Sequence, residues 1–137
     1  MMLYETEENK SAEDRLRTAL GDAYGYDMVA LPIKYSLDCI AYNGKEAKCF
    51  FEFKCRTVAS TEYDTALVNL HKVIAAANMT RATGLKCWLV VQWTDMVGFI
   101  DFQADKEIGM SKRRDRNEAA DLFAYYPVSG FKTLSLY

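Results

Sequence analysis

The sequence predicts a mixed α/β fold in which helices flank one central sheet. Three observations carry that expectation: helical spacing of apolar residues over 11–25 and 62–82, an apolar hairpin pattern between them, and a continuous apolar run of strand length after the second. The order helix, strand, strand, helix, strand, strand, then a partly irregular tail, is that of a layered sandwich around a sheet. With 137 residues the chain is expected to form a single domain, 1–137, that buries most of its unfolded surface.

Ser11 precedes AEDRLRTALGDAYGY, and Asp14 stands three residues on, which reads as a capping box with Asp in place of the usual Glu. Leu16, Ala19, Leu20 and Ala23 then recur at helical spacing, and Gly25 is the stop. After Pro32, IKYSLDCIAY is β-branched and aromatic, NGKE is a turn of the Asn-Gly kind, and AKCFFEFKCRTV is a second strand. Over 62–82, Ala66, Leu67, Leu70, Val73, Ile74 and Ala77 lie on one helical stripe that Gly84 ends. LKCWLVVQWT reads as a central strand covered on both faces, and MVGFIDF as its antiparallel partner. ADKEIGMSKRRDRNEAADLF is expected to be loop with one short helix, and YYPVSGFKTLSLY to be strand-like.

Formal charge of −2 and a pI near 5.4 leave no global basic field, so a nucleic-acid partner must meet a local patch. The acidic start MMLYETEENK has no signal-peptide pattern, and no apolar run approaches the roughly 18 residues of a membrane span. The expected setting is cytoplasmic, without a membrane partner. Cys39, Cys49, Cys55 and Cys87 form no CxxC pair and sit in strand-like runs, so reduced core thiols are expected rather than a zinc or iron–sulfur site.

Within the hairpin, SLDCIAYNGKEAKCFFEFKCR carries two acids and a lysine into apolar strands. Side chains alternate along a strand, so Glu52 and Lys54 share one face while Phe51, Phe53 and Cys55 take the other. The turn folds Asp38 back beside Glu52, bringing two carboxylates within reach of one divalent cation. Mg²⁺ or Mn²⁺ suits such oxygen donors, and the Phe53 carbonyl is a third candidate ligand. Two carboxylates in a partly buried strand repel and lose hydration, and a cation offsets both costs. Lys54 can lower the charge further and hold either the attacking water or the scissile phosphate. That set specifies metal-assisted phosphodiester hydrolysis. An ExK triplet alone is more often two solvated charges on a strand. The added Asp38 at hairpin distance makes the constellation more specific than its parts.

The D-x13-E-x-K pattern, with an acidic helix before it and a helix and strand after, resembles the PD-(D/E)XK nuclease superfamily, and more closely its small phage and prophage members. Text similar to TALVNLHK, TGL, WTDMVGFIDF and KRRDRNEAADLFAYYPVSGF extends the likeness over roughly residues 11–133. The resemblance implies a restriction-endonuclease-like core, DNA as partner, and the bacterial host cytoplasm as setting. It places Asp38, Glu52 and Lys54 in the motif and Glu13 where the superfamily often carries an acid on its first helix, as a further catalytic and metal-site residue. Leu37, not proline, precedes Asp38, and the glutamine-tyrosine helix motif of the RecB-like branch is missing from 62–82.

Lys72 on the long helix is expected to reach a phosphate or the edge of the metal site, while its neighbour His71 reads as solvated. Lys112, Arg113, Arg114 and Arg116 form the dense basic cluster, the best candidate for DNA-backbone contacts in an acidic chain. Trp88 and Trp93 read as packing residues. The expected function is a metal-dependent deoxyribonuclease, phage-encoded, with junction resolution by a homodimer as one form of it. The alternatives are a non-catalytic nucleic-acid-binding or assembly module that keeps the fold, and a structural phage component.

Overall fold

The computed structural model describes residues 7–110 and 122–136. Its helix α1 (Glu7–Tyr24) begins four residues before Ser11, so the expected capping box lies inside the helix. Its apolar spacing starts only at Leu16, and the pattern therefore carried no information about the first two turns. Gly25, at φ 68°, ends the helix as expected. Leu16 and Leu20 are fully or nearly fully buried and form the face of α1 that packs on the sheet.

The main sheet has six strands in the order β1 (Asp27–Ala30), β2 (Cys39–Asn43), β3 (Glu46–Cys55), β5 (Lys86–Gln92), β6 (Val97–Asp101) and β9 (Lys132–Leu134). The hairpin β2–β3 turns at Asn43-Gly44-Lys45-Glu46, with Gly44 at φ 64°, and a bulge interrupts its register between Ala41 and Tyr42. β3 runs parallel to β5, and β5 runs antiparallel to β6, so the sheet is mixed. The apolar run of β5 is central and covered on both faces, with Leu89, Val90 and Val91 all fully buried.

A second, three-stranded sheet departs from the expectation of one sheet. It orders β4 (Thr65–Asn69), β8 (Leu122–Pro127) and β7 (Glu107–Met110). The first third of the expected long helix is β4, whose Ala66 and Val68 are buried while their neighbours are not, a period-two pattern. Helix α2 (Leu70–Thr83) starts only where the Asn69 side chain accepts from the amide of His71, and stops at Gly84, φ 77°. Its inward face is Val73, Ala76 and Met79, whereas Ile74, expected on the apolar stripe, is exposed.

These elements form layers. α1 covers the face of the main sheet made by Cys39, Ala41, Phe51, Phe53 and Val90. α2 and the second sheet cover the opposite face, where Phe50, Leu89, Val91 and Ile100 meet Val68, Ala76, Ala124 and Tyr126. Trp93 packs edge to face on Phe131, and Trp88 on Phe99, as packing residues should. All four cysteines are free, and burial pushes Cys39 up to about 12 and Cys49 and Cys55 up to about 11, so they are protonated core thiols at neutral pH.

Candidate active site

The hairpin register builds the site. Cys39 pairs with Phe51 in antiparallel β2–β3, so Asp38, one residue ahead of β2, stands across from Glu52. Its backbone is fixed there by two bonds: its amide donates to the Phe51 carbonyl at 3.1 Å, and its carbonyl accepts from the Leu31 amide at 2.9 Å. The Asp38 carboxylate then accepts from the amide of Phe53 at 2.7 Å. In a strand, a residue's N–H and C=O point to the same edge. Because the Phe53 amide meets Asp38, the Phe53 carbonyl opens on that edge beside the two acids.

Alternation places the side chains as the sequence anticipates. Phe51 and Phe53 stack at 5.7 Å inside the α1 layer, and Glu52 and Lys54 take the other face. Glu52 is only 5% exposed and is the buried charged residue among those described. Burial first, and then the Asp38 carboxylate, push its pKa up to about 7, against the downward pull of Lys72 and Lys54. Two acids thus raise each other's cost, the electrostatic condition under which a cation is favoured.

Lys54 is held below the ordinary lysine range by burial and then by the Arg56 guanidinium, while Glu52 and Glu13 pull it back up. Arg56 was missed in the sequence although it continues the same two-residue period, Glu52, Lys54, Arg56. Its guanidinium donates to the Leu67 carbonyl at 2.9 Å, tying the end of β3 to β4. Glu13 rides on α1, which packs against the face opposite Glu52. Its charge pulls Lys54 and Cys55, at the end of β3, toward higher pKa.

Lys72 lies at the centre of the cluster. Its Nζ stands 3.2 Å from Oε2 and 3.4 Å from Oε1 of Glu52, and donates to the Ser36 carbonyl at 2.8 Å. Ser36 was also missed: it adopts the left-handed region at φ 62°, which a serine in sequence does not announce. His71 is exposed, with its ring nitrogen 2.7 Å from Asn69 Oδ1. Lys112, Arg113, Arg114 and Arg116 lie outside the described residues.

The oxygen donors that register and strand geometry place at this end of the hairpin are the Asp38 and Glu52 carboxylates and the Phe53 carbonyl. Among the described residues, no three of His, Cys, Asp or Glu gather as a metal cluster of their own. The set fits Mg²⁺ or Mn²⁺, which take one or two carboxylates and keep water in other positions.

A mixed sheet flanked by helices, with Asp, Glu and Lys at the end of a central hairpin, defines the PD-(D/E)XK nuclease class. Over residues 2–134 the chain matches the family described as "Phage putative PDDEXK endonuclease", and it belongs to that family. No curated protein matches it. Among solved structures, it is similar to the Holliday junction resolvase Hjc of the archaeal hyperthermophile Archaeoglobus fulgidus. The TM-score is 0.58 at 17% identity, covering 85% of this chain and 83% of that one. That likeness is one of fold. Family membership makes the chain a nuclease-type protein of a superfamily that uses divalent metals. No helix among the described residues is long and apolar enough to cross a membrane.

Proposed function

We propose that this protein is a divalent-metal-dependent endonuclease that hydrolyses DNA phosphodiester bonds. The observation that carries the reading is the cross-strand pair Asp38 and Glu52 with Lys54 on the same face, at the open end of β2. Asp38, Glu52 and the Phe53 carbonyl would hold Mg²⁺ or Mn²⁺, with Glu13 as the more distant acid. Bound there, the cation supplies an activated water and neutralises charge developing on the phosphate.

The chain's own residues supply the rest. The Phe53 amide orients Asp38, and the register against Phe51 fixes its approach to Glu52. Lys54, poised on a rigid central strand, sits where it can hold water or phosphate and oppose the developing negative charge. An intact acid, acid, lysine set argues against a scaffold that has kept only the fold. A four-way junction is the substrate to test first. A protein of the same fold and similar span is described as a Holliday junction resolvase.

The test is incubation with supercoiled plasmid, linear duplex, single strand and a four-way junction, with and without Mg²⁺ or Mn²⁺. Metal-dependent cutting is expected. Binding without cutting would support the module reading, and neither binding nor cutting a structural phage component. Paired symmetric nicks in the junction would support a homodimeric resolvase.

A further inference from the structure

The Lys72 ammonium sits among three oxygens, both of Glu52 at 3.2 and 3.4 Å and the Ser36 carbonyl at 2.8 Å. That is a hard-oxygen environment around a compact positive charge, on one of the two carboxylates that stand across from each other at the end of the hairpin. Two local features run against this placement. Lys72 is the third residue of α2 after the Asn69 cap, at the positive end of the helix dipole, where a cation is disfavoured. Ser36 is held at φ 62°, a conformation that L side chains rarely adopt, and it presents its carbonyl to Nζ. The buried Glu52 carboxylate offsets the first of these.

The contact is also built to be undone. Lys72 keeps 26% of its side chain exposed against 7% for Glu52, and its stem has four rotatable bonds leading toward solvent. A divalent cation on Glu52 repels an ammonium that contacts the same two oxygens, so metal uptake weakens the hold of Lys72 on that carboxylate.

We propose that Lys72 is a place-holding cation: it occupies Glu52 in the metal-free protein, releases it when a divalent ion is taken up, and then pairs with a DNA phosphate. This rests on the metal-dependent reading above. Its consequence is that metal and DNA favour each other's binding. A phosphate gives the released ammonium a new partner, and coupling of this kind is reciprocal. In DNA-free protein the lysine keeps metal occupancy low.

The experiment compares wild type, Lys72→Met, which keeps the stem without the charge, Glu52→Gln, and the Glu52→Gln/Lys72→Met double variant. Mn²⁺ is titrated calorimetrically into each, with and without a cleavage-resistant phosphorothioate duplex, and melting is followed without metal. Lys72→Met is expected to bind Mn²⁺ on the order of tenfold more tightly than wild type in the absence of DNA. It should also melt lower without metal, and lose the gain in Mn²⁺ affinity that DNA gives wild type. The double variant should melt above Lys72→Met, because the uncompensated carboxylate is gone. If wild type binds Mn²⁺ and Lys72→Met binds it equally or more weakly, place-holding is overturned while the nuclease reading stands. If neither binds Mn²⁺, both fall.

Discussion

The backbone amide of Phe53 holds the carboxylate of Asp38 at 2.7 Å, so one strand of the hairpin aims an acid carried by the other. The bond needs an acceptor oxygen but no charge. Asp38→Asn is therefore expected to keep the fold, with a melting temperature near that of wild type. It should lose cleavage on the order of 10²-fold or more, as an oriented charge at the reacting centre is removed. Thermal melting run beside a plasmid-nicking assay checks both halves.

Lys54 and Glu52 should separate catalysis from metal binding. Lys54→Ala is expected to lose cleavage on the order of 10²-fold or more. Its Mn²⁺ affinity should be unchanged or slightly higher, because a nearby positive charge has gone. Glu52→Ala should lose both. Wild-type cutting by Lys54→Ala would make Lys54 a structural charge beside an acid pair.

The pH dependence follows from Glu52, whose pKa is pushed up to about 7 from an ordinary value of 4.5 by burial and by Asp38, with Lys72 and Lys54 opposing. A raised carboxylate binds its proton more tightly folded than unfolded. Its contribution is thus fully present below about pH 4.5 and lost as pH rises through about 7. The metal-free protein should lose up to about 3 kcal/mol across that window. Glu52→Gln should show a flatter profile in urea unfolding. Metal affinity should move the other way, rising through pH 7 as the proton competitor leaves.

Neutralising Lys112, Arg113, Arg114 and Arg116 together is expected to weaken DNA binding and flatten its dependence on salt. Each lost phosphate contact lowers the slope of log K against log salt by about 0.9. Fluorescence anisotropy over a salt series gives the slope. An unchanged slope would make the cluster a solvated charge run.

The hairpin and the facing of its candidate residues were legible because two-residue alternation fixes facing with no knowledge of the rest of the chain. Asn43-Gly44 sets the turn, and Asp38, Glu52 and Lys54 follow from counting. β4 was not legible: TALVN continues straight into an apolar helix, and its strand identity comes from pairing with β8, more than fifty residues away. β1, β7 and β9 have only three or four residues each, too few to show a period. That Lys72 reaches the edge of the site was legible, but its particular partners, Glu52 and the Ser36 carbonyl, were not. They depend on a left-handed serine and on contacts spanning 20 and 36 residues.

β3 does two jobs with one alternation: Phe51 and Phe53 anchor α1, and Glu52 and Lys54 line the candidate site. A frame slip of one residue in this strand would put charges into the apolar layer and phenyl rings into the site at once. A slipped strand would therefore lose its packing and its candidate site together. The bulge at Ala41/Tyr42 sits on the turn side of the pair. The pairing from Ala41 to Cys39 stays regular, so the irregularity is kept away from the end where Asp38 meets Glu52.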